Sequence, residues 1–289
     1  MPFPPEAFII GAQRAGTTSL CAVLSQHPNI VPSTPKEPNF FSGNWERGLD
    51  WYSSCFRRFD ATLVDASVSY TMATSATIAD DLPDTIPHRI REVSPQAKFV
   101  YLVRDPVERC YSAYWHEVRA GREKHPLREA IDRCPDYVMA SSYYRQIKPF
   151  LRVFSLDRFC FVRFEDFVRD PLFAAQNCSA FFGVECSNFV FRPEKPLNQA
   201  FQYRLLGRGL RRLAGNEGMK VLSSAVSGIL PSSLHSYAKR TIARTIPPLS
   251  RADRMWLAPR FAEDARAFGQ LSGVHVLHTT GTTTRLERS

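Results

Sequence analysis

The chain has 289 residues, 44% hydrophobic and 22% charged, a globular composition that excludes disordered, collagenous and fibrous chains and is long enough to bury a core without staples. Its net charge of +9 is local: residues 1–200 carry 23 basic and 23 acidic side chains, residues 201–260 carry 11 and 2, and residues 261–289 carry 3 of each. A uniformly basic nucleic-acid coat is excluded, and a localised patch for an anionic ligand, an acidic partner or a membrane surface remains.

The N-terminus, Met1-Pro-Phe-Pro-Pro-Glu6, has no basic run followed by an apolar one, and no window approaches the ~20 apolar residues of a membrane span. The expectation is a soluble, cytoplasmic protein. Phe8-Ile-Ile-Gly11 followed by Gly16-Thr-Thr-Ser-Leu20 reads as strand, glycine-bearing turn and helix. Thr62–Asp65 is a second short strand. Lys98–Val103 is the strongest, apolar enough to be buried on both faces. Arg104-Asp105 stops it, and Pro106 suits the first turn of a helix running to about Ala120. Arg158–Arg163 is another strand. Asp170 then caps a helix with Pro171 at its first position, and Gly183 ends it.

Strands alternating with helices predict an α/β fold with a mostly parallel sheet. Beyond 200 the chain reads as helices broken at Gly215-Asn216, Pro231 and Pro247-Pro248. Ser250 precedes an amphipathic run of Met255, Leu257, Phe261, Ala265, Phe268 and Leu271, which stops at Gly273. The organisation expected is one domain over 1–289, with an α/β core at 7–200, a basic helical part at 201–273 and a frayed tail at 274–289. Seven cysteines without C-x-x-C or zinc spacing read as buried free thiols and favour a reducing compartment.

Gly11-Ala-Gln-Arg-Ala-Gly16-Thr17-Thr18 has the G-x-x-x-x-G frame of a nucleotide P-loop. Thr17 stands where that loop has lysine, and the cation is inside the loop as Arg14. Such a loop is poorly equipped for a triphosphate. It can cradle one phosphate group with backbone N–H groups at a helix N-terminus, or its glycines can serve only a tight turn. The segment resembles the 5′-phosphosulfate-binding loop of sulfotransferases that use 3′-phosphoadenosine 5′-phosphosulfate (PAPS). The nearest branch is that of the heparan sulfate N- and O-sulfotransferases and their bacterial relatives. The resemblance implies a P-loop NTPase-like three-layer fold with a central parallel sheet flanked by helices, plus a C-terminal helical part. It also implies that Gln13, Arg14, Ala15, Gly16, Thr17 and Thr18 bind the donor. The family often has lysine at the place of Arg14; arginine keeps the charge and adds a planar fork.

Further segments follow in the family's order. Thr34-Pro-Lys36-Glu37-Pro-Asn-Phe40-Phe41 is similar to its Lys-Glu-Pro-x-Phe-Phe. The resemblance makes Glu37 the base that takes a proton from the acceptor, and Lys36 a stabiliser of charge on the sulfuryl or leaving group; alone, the pair reads as a surface Lys-Glu. Arg104, at a strand end, and Ser112, eight residues on, match the 3′-phosphate site, the usual crevice position in open α/β sheets. An ion pair of Arg104 with Asp105 or Glu108 is the alternative. His116, four residues after Ser112, resembles an acceptor-site histidine and a second acid/base, against a structural role. Val64-Asp65-Ala66-Ser67-Val-Ser-Tyr70 is similar to a segment reading Glu-Lys-Ser/Thr and ending in Tyr, with Ala66 in the lysine's place. Phe41, Ser67, Tyr70, His116 and Tyr144 are thereby expected on the acceptor side, Tyr144 with core packing as its alternative. Arg208-Gly209, on the face shared by Arg204, Arg208 and Arg212, is the candidate for a loop over the 3′-phosphate, against a solvated basic face.

The whole pattern implies sulfuryl transfer from PAPS to a hydroxyl or amine of a carbohydrate, lipid or small-molecule acceptor. The product is 3′-phosphoadenosine 5′-phosphate (PAP), with no metal and no nucleic-acid partner. Residues 201–260 remain free to meet a membrane or an acidic partner. Two rivals stand beside it: a P-loop nucleotide kinase, disfavoured by the missing lysine at 17, and a non-enzymatic basic interaction protein.

Overall fold

The structure, a computed structural model, describes residues 3–72, 85–185, 189 and 246–277. Among these, five parallel strands form one sheet in the order β2-β3-β1-β4-β5: β1 Ala7–Gly11, β2 Ile30–Pro32, β3 Thr62–Asp65, β4 Lys98–Val103 and β5 Phe159–Arg163. The two central strands are the apolar runs legible in the sequence. Phe8, Ile9 and Ile10 of β1, and all but Lys98 of β4, are buried on both faces. β2 was not expected. Its three residues, ending in proline, are too few for any periodicity, and its pairing with β3 makes it a strand.

Parallel strands need crossover helices, and right-handed crossovers put them on opposite faces when the chain leaves in opposite directions. From β1 it passes through α1 (Thr17–Leu24) toward β2, with α2 (Phe40–Gly43) and α3 (Gly48–Ser54) before β3. α4 (Thr85–Val93) leads into β4. From β4 the chain goes the other way, through α5 (Pro106–Arg119), α6 (Leu127–Arg133), α7 (Asp136–Met139) and α8 (Tyr143–Leu151), to β5. α9 (Phe164–Arg169) and α10 (Pro171–Phe181) follow; α11 (Arg251–Leu257) and α12 (Ala262–Ser272) close the described chain. α1 packs on α10, and α8 on α12.

The helix signals hold. Asp170 accepts from Phe173 N, Ser250 accepts from Asp253 N, and Gly183 and Gly273 adopt positive φ after their helices. The amphipathic C-terminal run forms two helices joined by a 3-10 turn at Ala258–Phe261. Leu257, Phe261, Ala265 and Phe268 are buried, but Met255 is 60% exposed and lies off that stripe. Phe268 packs its ring against Tyr101, Tyr143 and Phe161, which docks α12 on β4 and β5. Each such buried aromatic contributes about 1.5–3 kcal/mol relative to exposure.

The chain divides into two compact units, one of Met1–Tyr114, His125–Arg192 and Ser250–Ser289, the other of Trp115–Lys124 and Pro193–Leu249. The breaks expected at Gly215-Asn216 and Pro231, the face of Arg204, Arg208 and Arg212, and Arg208-Gly209 lie outside the described residues. Among the described residues no helix is long and apolar enough to cross a membrane.

Candidate active site

In a parallel sheet every strand ends on the same edge. Here that edge gathers the loop after β1, the Ser33–Glu37 segment, the Ala66–Tyr70 segment, Arg104-Asp105 and Arg163-Phe164. β1 and β4 are neighbours whose onward connections run in opposite directions, the position at which open α/β sheets bind ligands. Of the expected groups, Arg14 lies in the loop after β1 and Arg104 directly after β4.

The loop after β1 is tied to β4 by Ala12 N donating to Leu102 O at 2.6 Å. It turns tightly through Arg14 (φ 67°) and Gly16 (φ 99°), both left-handed. A Cβ on Gly16 would stand 2.9 Å from the Phe164 ring, so packing as well as φ requires glycine. α1 starts at Thr17, and its first-turn amides have no intrahelical acceptor. Arg109, 1% exposed on α5, donates to Gln13 O at 3.5 Å, to Tyr137 O at 2.8 Å and to Ser141 Oγ. Its guanidinium thus fastens the loop to α7 and its C-terminal turn. Sequence reading missed it; the one signal was an arginine between Val107 and Cys110-Tyr111, on a helix whose first turns are mostly buried.

On the β3 side, Lys36 Nζ donates to Glu37 Oε1 at 3.1 Å and to Ala66 O at 3.3 Å. Behind this pair lies Asp65, fully buried at the end of β3. It accepts from Ser67 Oγ at 2.6 Å and from the hydroxyls of Tyr52 and Tyr70 at 2.7 Å each. Ser67 Oγ accepts from Asn39 N at 3.0 Å and Tyr70 OH from Phe41 N at 3.4 Å, so the Lys36–Phe41 segment hangs from one carboxylate. Burial pushes the Asp65 carboxyl above its usual range, against the pull of its three hydroxyl donors and of Lys36. Cys21 on α1 lies within electrostatic reach of Lys36, Asp65 and Glu37. Burial raises that thiol to about 11, with Lys36 pulling the other way. Phe41, Ser67 and Tyr70 are all buried.

On the β4 side, Arg104 is held three ways. Its carbonyl accepts from Tyr143 OH at 2.8 Å, and its amide donates to the same oxygen at 3.3 Å. Its guanidinium lies 5.0 Å from the Phe164 ring centroid and 3.4 Å from Glu108 Oε2. The alternative ion pair is thus present, with Glu108 and not Asp105. Ser112 is half-buried on α5, two turns on. Tyr143, the neighbour of the expected Tyr144, is the tyrosine that reaches this site. Tyr144 is half-buried, and its amide is held by Asp264 Oδ1 at 3.1 Å. His116 falls in the second unit, with Nε2 3.9 Å from Glu117 Oε1.

Two arginines, Arg14 and Arg104, therefore follow adjacent strands, and a carboxylate–ammonium pair, Lys36–Glu37, lies on the same edge. The chain matches the Sulfotransferase family over residues 5–188. It belongs to that family. It is 30% identical over 190 residues to heparan sulfate glucosamine 3-O-sulfotransferase 6 of Homo sapiens, covering 63% of this chain and 53% of that protein. With the bifunctional heparan sulfate N-deacetylase/N-sulfotransferase 1 of Caenorhabditis elegans the figures are 26% over 237 residues, 75% of this chain and 26% of that one. The chain thus spans about half the length, or less, of these curated relatives. The crystal structure of a sulfotransferase from Alicyclobacillus acidocaldarius superposes with a TM-score of 0.64 at 24% identity, over 94% of this chain and 96% of that one. The fold is the P-loop NTPase-like three-layer architecture expected.

Proposed function

We propose that this sulfotransferase-family chain moves a sulfuryl group from PAPS to a hydroxyl or amine, with a carbohydrate as the favoured acceptor class. The observation that carries the proposal is the Lys36–Glu37 pair on the edge that also holds the Arg14 loop and Arg104. The donor set suits a ligand with two separate anionic ends. Gln13, Arg14 and the amides of Ala15, Gly16, Thr17 and Thr18 would hold the 5′ end, and Arg104 and Ser112 the 3′-phosphate. Arg208-Gly209 would add a covering loop. When bound, PAPS supplies an electrophilic sulfur with PAP as leaving group.

Glu37 accepts the proton of the attacking hydroxyl or amine, and Lys36 lies close enough to offset negative charge that develops there. Phe41, Ser67 and Tyr70 shape the acceptor wall from behind, since their burial leaves little of them to touch a ligand. Tyr144 borders it, and His116 is the second acid/base of the proposal. No metal has a role, because the donor carries no polyphosphate to bridge, and no nucleic acid is a partner. Lipids and other small molecules are the alternative acceptors, and residues 201–260 the surface for a membrane or acidic partner. The six described cysteines are all free thiols, which supports a reducing, cytoplasmic setting.

The direct test is calorimetry with PAP in the presence of a chelator. Micromolar binding that Arg104→Ala weakens by about tenfold to a hundredfold is the expected result. No heat at high micromolar ligand overturns the proposal.

A further inference from the structure

Two carboxylates flank the start of α5: Glu108, which pairs with Arg104, and Asp105, which does not. Glu108 offers Oε2 to Arg104 Nη2, while its other oxygen, Oε1, is taken by Arg254 Nη2 from α11. Arg254 Nη1 also donates to Asp105 Oδ2 at 3.1 Å, across 149 residues of sequence. Asp105 is 1% exposed, and its second oxygen caps α5 by accepting from Val107 N at 2.9 Å and Glu108 N at 3.0 Å. One guanidinium therefore spans both acids.

Without Arg254, Glu108 would keep Arg104 as its ion-pair partner among the described residues. A phosphate dianion arriving there would compete with Glu108 for Arg104. With Arg254 the four side chains sum to zero, and Glu108 keeps a partner when Arg104 turns to another anion. A planar fork suits this task, because it reaches two carboxylates at once.

We propose that Arg254 is a positioning residue for the 3′-phosphate, holding and neutralising Asp105 and Glu108 so that Arg104 is available to that group. The inference rests on the reading of Arg104 given above. It assigns one member of the basic 201–260 stretch to nucleotide selection rather than to a free surface. It also makes Arg254 a determinant of the preference for PAP over adenosine 5′-phosphate, which lacks the 3′ group.

Calorimetry on the full chain with both nucleotides tests this. Arg254→Gln is expected to weaken PAP about tenfold or more, while adenosine 5′-phosphate changes by less than about twofold, so the preference collapses. Adding Glu108→Gln to that variant is expected to restore most of it, because the uncompensated carboxylate is gone. Arg254→Lys, which keeps the charge but not the fork, is expected to lie between and covers the case in which Arg254→Gln does not fold. Equal losses for both nucleotides, or an unchanged preference in Arg254→Gln and Arg254→Lys, overturn the inference while leaving Arg104 in place. Wild-type protein with no preference for PAP overturns the reading of Arg104, and this inference with it.

Discussion

On the β3 side of β1, the segment with Lys36 and Glu37 hangs from a buried carboxylate. On the β4 side, Arg104 is braced by a tyrosine, an aromatic ring and a carboxylate that Arg254 holds from far along the chain. The first arrangement meets its buried acid with neutral donors: Asp65 meets hydroxyls, and those hydroxyls accept from backbone amides. The second is built of full charges in alternation. The difference fits what each half must hold. A base needs a fixed position and freedom from competing cations other than the one beside it. An anion site needs its surrounding acids neutralised before the anion arrives.

If the β3 side is the proton-transfer half, Glu37→Gln should lower turnover ~10²-fold or more and leave PAP affinity unchanged, as read by steady-state kinetics and calorimetry. Turnover within a few-fold of wild type would remove Glu37 from the chemistry and leave the two halves without distinct tasks. If the β4 side is the binding half, Arg104→Ala should weaken PAP by about tenfold to a hundredfold, the cost of a lost charge-assisted hydrogen bond. The same variant should move turnover at saturating donor far less. A variant that loses turnover at saturation and keeps its affinity would reverse the assignment.

Asp65→Asn probes the buried carboxyl of the first half. Asparagine has one acceptor oxygen where the carboxylate has two, so at least one of Ser67, Tyr52 and Tyr70 loses its partner, at about 1–3 kcal/mol. Because burial raises the Asp65 pKa in the fold above its unfolded value, the stabilisation this carboxyl contributes is complete below the unfolded pKa. It fades as pH rises through the folded one. The deficit of Asp65→Asn in chemical denaturation should therefore be largest in acid and shrink toward neutral pH. A deficit that grows with pH would mean that Asp65 is stabilised as an anion.

What the sequence disclosed of these halves was local. The β1 loop, the apolar β4 with Arg104 at its end, and the Asp170 and Ser250 caps each lie within about ten residues, where spacing and side-chain chemistry carry the signal. The links that complete the site are long. Arg109 to Gln13 spans 96 residues, Asp264 to Tyr144 spans 120, and Arg254 to Asp105 spans 149. Nothing in the spacing of a single chain encodes them, because they follow from which faces pack. Tyr143 and Tyr144 show the finest limit. One residue of helix phase separates the hydroxyl bound to Arg104 from a half-buried ring, and that phase is set by the docking of α12.

The smallest expected effect concerns how α11 is held in place. Ser250 caps it through Asp253 N, and Ser250→Ala should cost about 1 kcal/mol of stability. Two explanations of Arg254's position then part. If the cap sets the helix and the helix aims the guanidinium, the preference for PAP over adenosine 5′-phosphate should fall along with stability. If the two carboxylates fix Arg254 and the helix follows, Ser250→Ala should lower the melting temperature slightly and leave that preference unchanged. The geometry favours the second outcome, since Asp105 is buried and its other oxygen is already committed to capping α5. The acid that receives Arg254 is thus held by the core and by α5, so the place of the guanidinium depends on the carboxylate it meets rather than on the cap of its own helix.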